Sequence, residues 1–198
     1  RSARVTPQGH SPPRPRVLLT RSDEDCAEWA EKLTARGIDS VAVPCIRCET
    51  LDTPELRETL AKAAATADWL VFTSRRGVAA FAKLAGPPRP EALIAVVGAG
   101  TAAAAEELLG RVDLVGRGGT GAALAATLVR EGDLAHRPNV LLAVAENAGD
   151  VFERTVAATG ACFARFNVYR TVASPPARTK RPLSGLRVDN VLLASPSA

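Results

Sequence analysis

The residues whose types and spacing suit chemistry gather at turns that follow short apolar runs. Thr73, Ser74 and Arg75 follow Trp69-Leu70-Val71-Phe72; Gly98, Gly100 and Thr101 follow an apolar run over 93–97; Ser195 and Ser197 follow Asn190-Val191-Leu192-Leu193-Ala194. A short continuous apolar run reads as a strand buried on both faces, and hydroxyls just after it cap a helix. Backbone N–H groups at such a helix start suit a carboxylate or a phosphate. Arg21, after Val17-Leu18-Leu19-Thr20, adds a cation at the same kind of edge, where open parallel sheets hold ligands. Arg75 and Arg76 do so beside Ser74. Tyr169 is the only tyrosine, and two readings stay open for it: a packing residue at a hinge or a phenol facing a cleft.

Other motifs give weaker signals. Gly98-Ala99-Gly100-Thr101-Ala102-Ala103 fits G-x-G-x-x-A, so an NAD(P)-binding Rossmann-type protein is one alternative. The acid expected about twenty residues later is replaced by Gly, Arg and Thr over 116–121, with Arg117 as a reader of a 2′-phosphate. Asp23-Glu24-Asp25 suits a solvated helix start better than an acidic pocket. Cys45-x-x-Cys48 lacks the second pair that a zinc ribbon needs, and reduced structural thiols are expected. The sequence contains no nucleophile triad, paired-carboxylate arrangement or phosphate-binding P-loop.

Composition sets bounds on partners. A net charge of +4 and a pI near 9.2 suit an anionic ligand without demanding nucleic acid. Aromatics make up 4% of the residues, which leaves little surface for base stacking. No apolar run is long enough to span a membrane. Residues 1–16 are rich in Arg, Pro and Ser and read as a tail. The chain has no Met, which suggests a fragment or a processed product.

Strands and helices alternate along the chain, so the expected class is α/β with parallel sheets. Helices are expected near 25–35, 54–65, 75–84, 101–109, 121–130 and 150–158. Residues 44–54 read as a connector, and a strand over 162–167 leads through 168–171, where Tyr169 sits in the connection between the two halves, into a connector over 173–185 rich in Pro, Ser and Arg. The sequence also repeats itself. Val17 and Val140 stand at the same spacing as Gly37 and Gly160, and Asp68 and Asp189 at nearly that spacing. A duplicated α/β half would place the counterpart of the Gly98–Thr101 turn beyond Ala198.

These motifs, in this order, resemble the uroporphyrinogen-III synthase family: Thr-Arg at Thr20-Arg21, Asp-x-Leu-x-Phe-Thr-Ser-x-x-Gly-Val-x-x-Phe at 68–81, Val-Gly-x-x-Thr-Ala at 97–102, Val-Tyr-x-Thr at 168–171, and the terminal Ser-Pro-Ser-Ala. The resemblance covers about 16–198. It implies two similar parallel-sheet domains joined by a two-stranded connection, one of 16–44 with 172–198, incomplete at its C-terminus, and one of 48–168, after a tail over 1–15. It implies cyclisation of hydroxymethylbilane to uroporphyrinogen III, with loss of water, inversion of the last ring and no cofactor or metal. Tyr169 is then the candidate for assisting departure of the hydroxyl. Arg21, Thr73, Ser74, Arg75, Gly98, Thr101, Ser195 and Ser197 are the substrate-binding candidates. The implied partner is the polyanionic small-molecule substrate, not nucleic acid or a membrane. A monomer is expected, with transient contact to hydroxymethylbilane synthase, in the cytoplasm, or in the plastid stroma if residues 1–16 are a transit-peptide remnant. Arg76 stands where the family often has Asn. The rival of another class is a non-catalytic two-domain binder of an anionic ligand.

Overall fold

The computed structural model describes residues 14–174 and 183–193. The elements in chain order are β1 (Arg16–Leu19), α1 (Asp23–Thr34), β2 (Asp39–Ala42), β3 (Ile46–Thr50), α2 (Pro54–Ala64), β4 (Trp69–Phe72), α3 (Arg75–Ala85), β5 (Leu93–Val96), α4 (Ala99–Leu109), β6 (Leu114–Val115), α5 (Gly121–Glu131), β7 (Asn139–Ala145), α6 (Val151–Ala157), β8 (Cys162–Ala173) and β9 (Asn190–Leu192). The class is α/β, as expected. By compactness the chain divides into Arg1–Arg47 with Val172–Ala198, and Cys48–Thr171.

The smaller unit holds a three-stranded sheet in the order β2-β1-β9, with β1 parallel to both neighbours. Ser22 caps α1, its Oγ accepting from the Asp25 amide at 3.4 Å. The acidic first turn begins at Asp23, two residues before the expected start. Burial pushes the Cys26 thiol up from its ordinary pKa, so it stays protonated.

The larger unit is built on a sheet in the order β3-β8-β7-β4-β5-β6. The pairs from β8 to β6 are parallel. β4 is buried along its whole length, and its side chains alternate between two cores. Leu70 and Phe72 pack with Leu60 of α2, Val78 and Phe81 of α3 and Leu109 of α4. Trp69 and Val71 pack on the opposite face with Leu124 and Leu128 of α5 and Phe152 of α6. Both faces of a parallel sheet are thereby covered, which explains the unbroken apolar run.

Two expectations are corrected. Residues 44–54 are not an irregular connector, because 46–50 form β3 beside β8. Residues 168–171 are not a connector either, because β8 runs on to Ala173. The two stretches secure each other by backbone pairing: the Leu51 amide donates to the Val168 carbonyl at 2.9 Å.

The repeat read from sequence is present in the ladders. Arg16–Leu19 faces Asp39–Ala42 pair for pair as Asn139–Leu142 faces Cys162–Arg165. Likewise β1 meets β9 in the register in which β7 meets β4. Even one side-chain bond recurs. Asp189 Oδ2 accepts from the Arg16 amide at 2.8 Å, and Asp68 Oδ2 accepts from the Asn139 amide at 2.8 Å.

Candidate functional site

The carboxyl edge of the larger sheet carries a hydroxyl pair. β4 ends at Phe72, and Ser74 caps α3, its Oγ accepting from the Gly77 amide at 3.0 Å. The same Oγ lies 3.0 Å from the Tyr169 hydroxyl. Gly77 makes this approach possible. A Cβ there would stand 2.8 Å from the Ala143 carbonyl oxygen and 3.3 Å from Ser74 Oγ.

Tyr169 reaches Ser74 because β8 bulges. Val144 pairs with Asn167 but Ala145 pairs with Tyr169, so Val168 is an extra residue in the strand. Strict alternation would turn Val168 and Tyr169 to opposite faces. With the bulge both pack on the core containing Phe72 and Phe81. The Tyr169 carbonyl still accepts from the Glu146 amide at 2.8 Å. The phenol is therefore fixed at both its backbone and its tip.

On the other face of the same edge lies a cavity of about 340 Å³. Thr73 and Thr120 line it with Leu142, Val144, Phe152 and Glu153. Thr120 caps α5, its Oγ accepting from the Ala123 amide at 3.2 Å. Glu153, in the first turn of α6, forms an ion pair through Oε1 with Arg165 of β8. That guanidinium also donates to the Asn167 side chain at 3.0 Å and to the Ala148 carbonyl at 2.9 Å.

The remaining candidates are distributed as follows. Arg21 belongs to the smaller unit, where Nε and Nη2 both donate to Asp25 Oδ2 at 2.9 and 2.8 Å. Its charge is thus partnered by the first turn of α1. Arg75 is the exposed first residue of α3. Gly98 precedes α4, which has no side-chain cap and starts at Ala99, so Thr101 lies inside the first turn and is 5% exposed. The exposed residues at that turn are Ala99 and Gly100. Ser195 and Ser197 lie outside the described residues. Among the described residues no three His, Cys, Asp or Glu side chains converge as a metal site requires, and no helix is long and apolar enough to cross a membrane.

Sequence reasoning missed Glu153 and Arg165. Neither stands in a motif. The available signal was an acid beside Phe152 in the first turn of a helix read as packing on a sheet.

No curated protein matches the chain. Among solved structures it is similar to a mutant uroporphyrinogen III synthase from the extremely thermophilic bacterium Thermus thermophilus, with 20% identity and a TM-score of 0.57 over 81% of this chain and 64% of that one. It is also similar to the uroporphyrinogen-III synthetase from Helicobacter pylori, with 11% identity and a TM-score of 0.50 over 83% of this chain and 65% of that one. The chain thus spans less than two thirds of the length of these relatives, and at such identities they speak for the fold. A family model described as uroporphyrinogen-III synthase HemD matches residues 27–198. With the match covering most of its length, the chain belongs to the uroporphyrinogen-III synthase family.

Proposed function

We propose that the protein cyclises hydroxymethylbilane to uroporphyrinogen III as a cofactor-independent hydro-lyase, with its two compact units as the two domains of that fold. The observation that carries this reading beyond family membership is the Tyr169 hydroxyl held 3.0 Å from Ser74 Oγ at the carboxyl edge of the sheet. The reaction begins when the hydroxymethyl group loses its oxygen as water. The Tyr169 O–H supplies the proton, and the remaining chain becomes an azafulvenium cation that balances the phenolate. The phenolate so formed is stabilised by the Ser74 hydroxyl, which can donate because its oxygen already accepts from Gly77 N. Ser74 caps α3, so the charge also sits near the positive end of that helix. The substituted carbon of the last pyrrole ring then attacks through a spiro intermediate, and positioning supplies much of that barrier.

The substrate carries eight carboxylates. The uncapped start of α4 and the exposed Arg75 are suited to receive some of them. The acting form is a monomer that meets hydroxymethylbilane synthase transiently.

The test feeds hydroxymethylbilane to the full-length protein and separates the type I and type III isomers. Formation of the III isomer is expected. Tyr169→Phe should slow it by roughly 10²-fold, as loss of a positioned proton donor does. If only the spontaneous type I isomer forms, the reading is lost.

A further inference from the structure

Strict alternation along β8 would put Tyr169 on the face that carries Arg165 and Asn167. The bulge at Val168 turns it to the opposite face, where it meets Ser74. The Arg165 side chain spans that bulge. On β8, its Nε donates to Asn167 Oδ1 at 3.0 Å, just before the extra residue. On β7, its Nη2 donates at 3.3 Å to the carbonyl of Ala145, the residue that pairs with Tyr169. The same nitrogen donates to the Ala148 carbonyl at 2.9 Å, and Nη1 donates to the Gly149 carbonyl at 3.4 Å and to Glu153 Oε1. These five bonds are as many as the guanidinium has N–H groups. The turn held in this way contains Glu146, whose amide donates to the Tyr169 carbonyl. An ion pair with Glu153 alone would use at most two of these donors. The others fix the backbone on both sides of Tyr169.

We propose that Arg165 is a positioning residue for the cyclisation: by bracing both strands of the bulge, it aims the Tyr169 hydroxyl at the departing oxygen. Its donors are all taken, so it acts through Tyr169 and not on the substrate. The assignment rests on the synthase reading for the reaction, and on the bulge alone for the geometry. Arg165→Lys separates the brace from the charge. It keeps a cation beside Glu153 but offers three donors from a single point, too few to hold both strands.

Tyr169 is the only tyrosine, so its ring gives a single set of resonances. In the parent the ring should show a nuclear Overhauser contact with the Ser74 methylene, and in Arg165→Lys that contact should be lost. With hydroxymethylbilane as substrate, Arg165→Lys should lower kcat about ten-fold and leave KM unchanged, since misplacing a reacting group by about 1 Å costs up to about 10²-fold. In a Tyr169→Phe background the same substitution should cost nothing further, because there is no hydroxyl left to aim. A merely structural role would slow both backgrounds alike. Should Arg165→Lys not fold, Asn167→Ala takes its place. It keeps the ion pair and the turn and removes the brace on β8, and it should lower kcat only where Tyr169 is present. An undiminished contact between Tyr169 and Ser74, or an equal loss of kcat in both backgrounds, overturns the proposal. If the parent forms no type III isomer, the synthase reading is lost, and the ring contact alone then decides whether Arg165 aims the phenol.

Discussion

The sheet β2-β1-β9 and the strands β8-β7-β4 are two versions of one design. They share strand order, register and an aspartate that clamps the start of the central strand. They differ beyond the fourth pair. The β1–β2 ladder stops at Leu19 and Ala42. Its counterpart continues past Leu142 and Arg165 through the bulge to Tyr169. Where one version has Ala42, the other has the guanidinium that binds Glu153 and the 145–149 turn. The two sheets have the backbone pairing in common, while the groups able to do chemistry sit where one of them runs on.

Replacing Arg165 with the twin's residue is the strongest way to break the contrast. Arg165→Ala leaves the Glu153 carboxylate buried without its cation. Breaking a buried pair by removing one partner costs about 3–5 kcal/mol. The low end, about 3 kcal/mol, is expected because the Arg165 side chain is 24% exposed. Urea unfolding should report this loss, and Arg165→Ala with Glu153→Leu should recover most of it. If the single variant unfolds like the parent, the pair is not what secures the extended copy.

Gly77→Ala comes next. It tests whether the extension depends on α3 lying tight against β7. The added methyl would meet a carbonyl oxygen at 2.8 Å, and neither backbone can yield without moving the helix. Overpacking of this kind costs about 1–3 kcal/mol. The shift should also separate Ser74 from Tyr169, so the phenol resonance should move along with the unfolding midpoint. A stable variant with an unmoved Tyr169 resonance would mean that the close approach is dispensable.

The sequence made the shared parts of the two copies visible and hid the extension. Trp69–Phe72 followed by Thr73 and Ser74 announces a strand, a cap and a helix, because burial on both faces and a hydroxyl cap are local requirements. The repeat is visible because its landmarks, Val17 with Val140 and Gly37 with Gly160, mark strand starts and helix stops. β3 was hidden because the alternation of Ile46-Arg47-Cys48-Glu49-Thr50 is short, has only two strongly apolar residues and is bracketed by Pro44 and Pro54, so it is secured as a strand only beside β8. The bulge was hidden because an inserted residue is defined by its partner strand. Tyr169 was singled out by type, but its direction depends on that bulge. Arg165 and Glu153 meet only once β8 and α6 pack, so no spacing in the chain records them.

The smallest effect tests the clamp that both copies share. Asp68→Ala removes the acceptor for the Asn139 amide and also an ion pair to Arg89 Nη2 at 3.3 Å. Asp189→Ala removes the acceptor for the Arg16 amide. A net hydrogen bond is worth about 0.5–1.5 kcal/mol, and these are exposed, so about 1 kcal/mol is expected at Asp68 and about half that at Asp189. Amide hydrogen exchange reads each clamp locally: the Asn139 amide should exchange roughly five-fold faster in the first variant, as about 1 kcal/mol implies, and the Arg16 amide roughly two-fold faster in the second. Each amide should ignore the other substitution. Should only Asn139 respond, the clamp would be working in one copy alone, and the likeness of the two sheets would extend to their ladders but not to the bond that closes them.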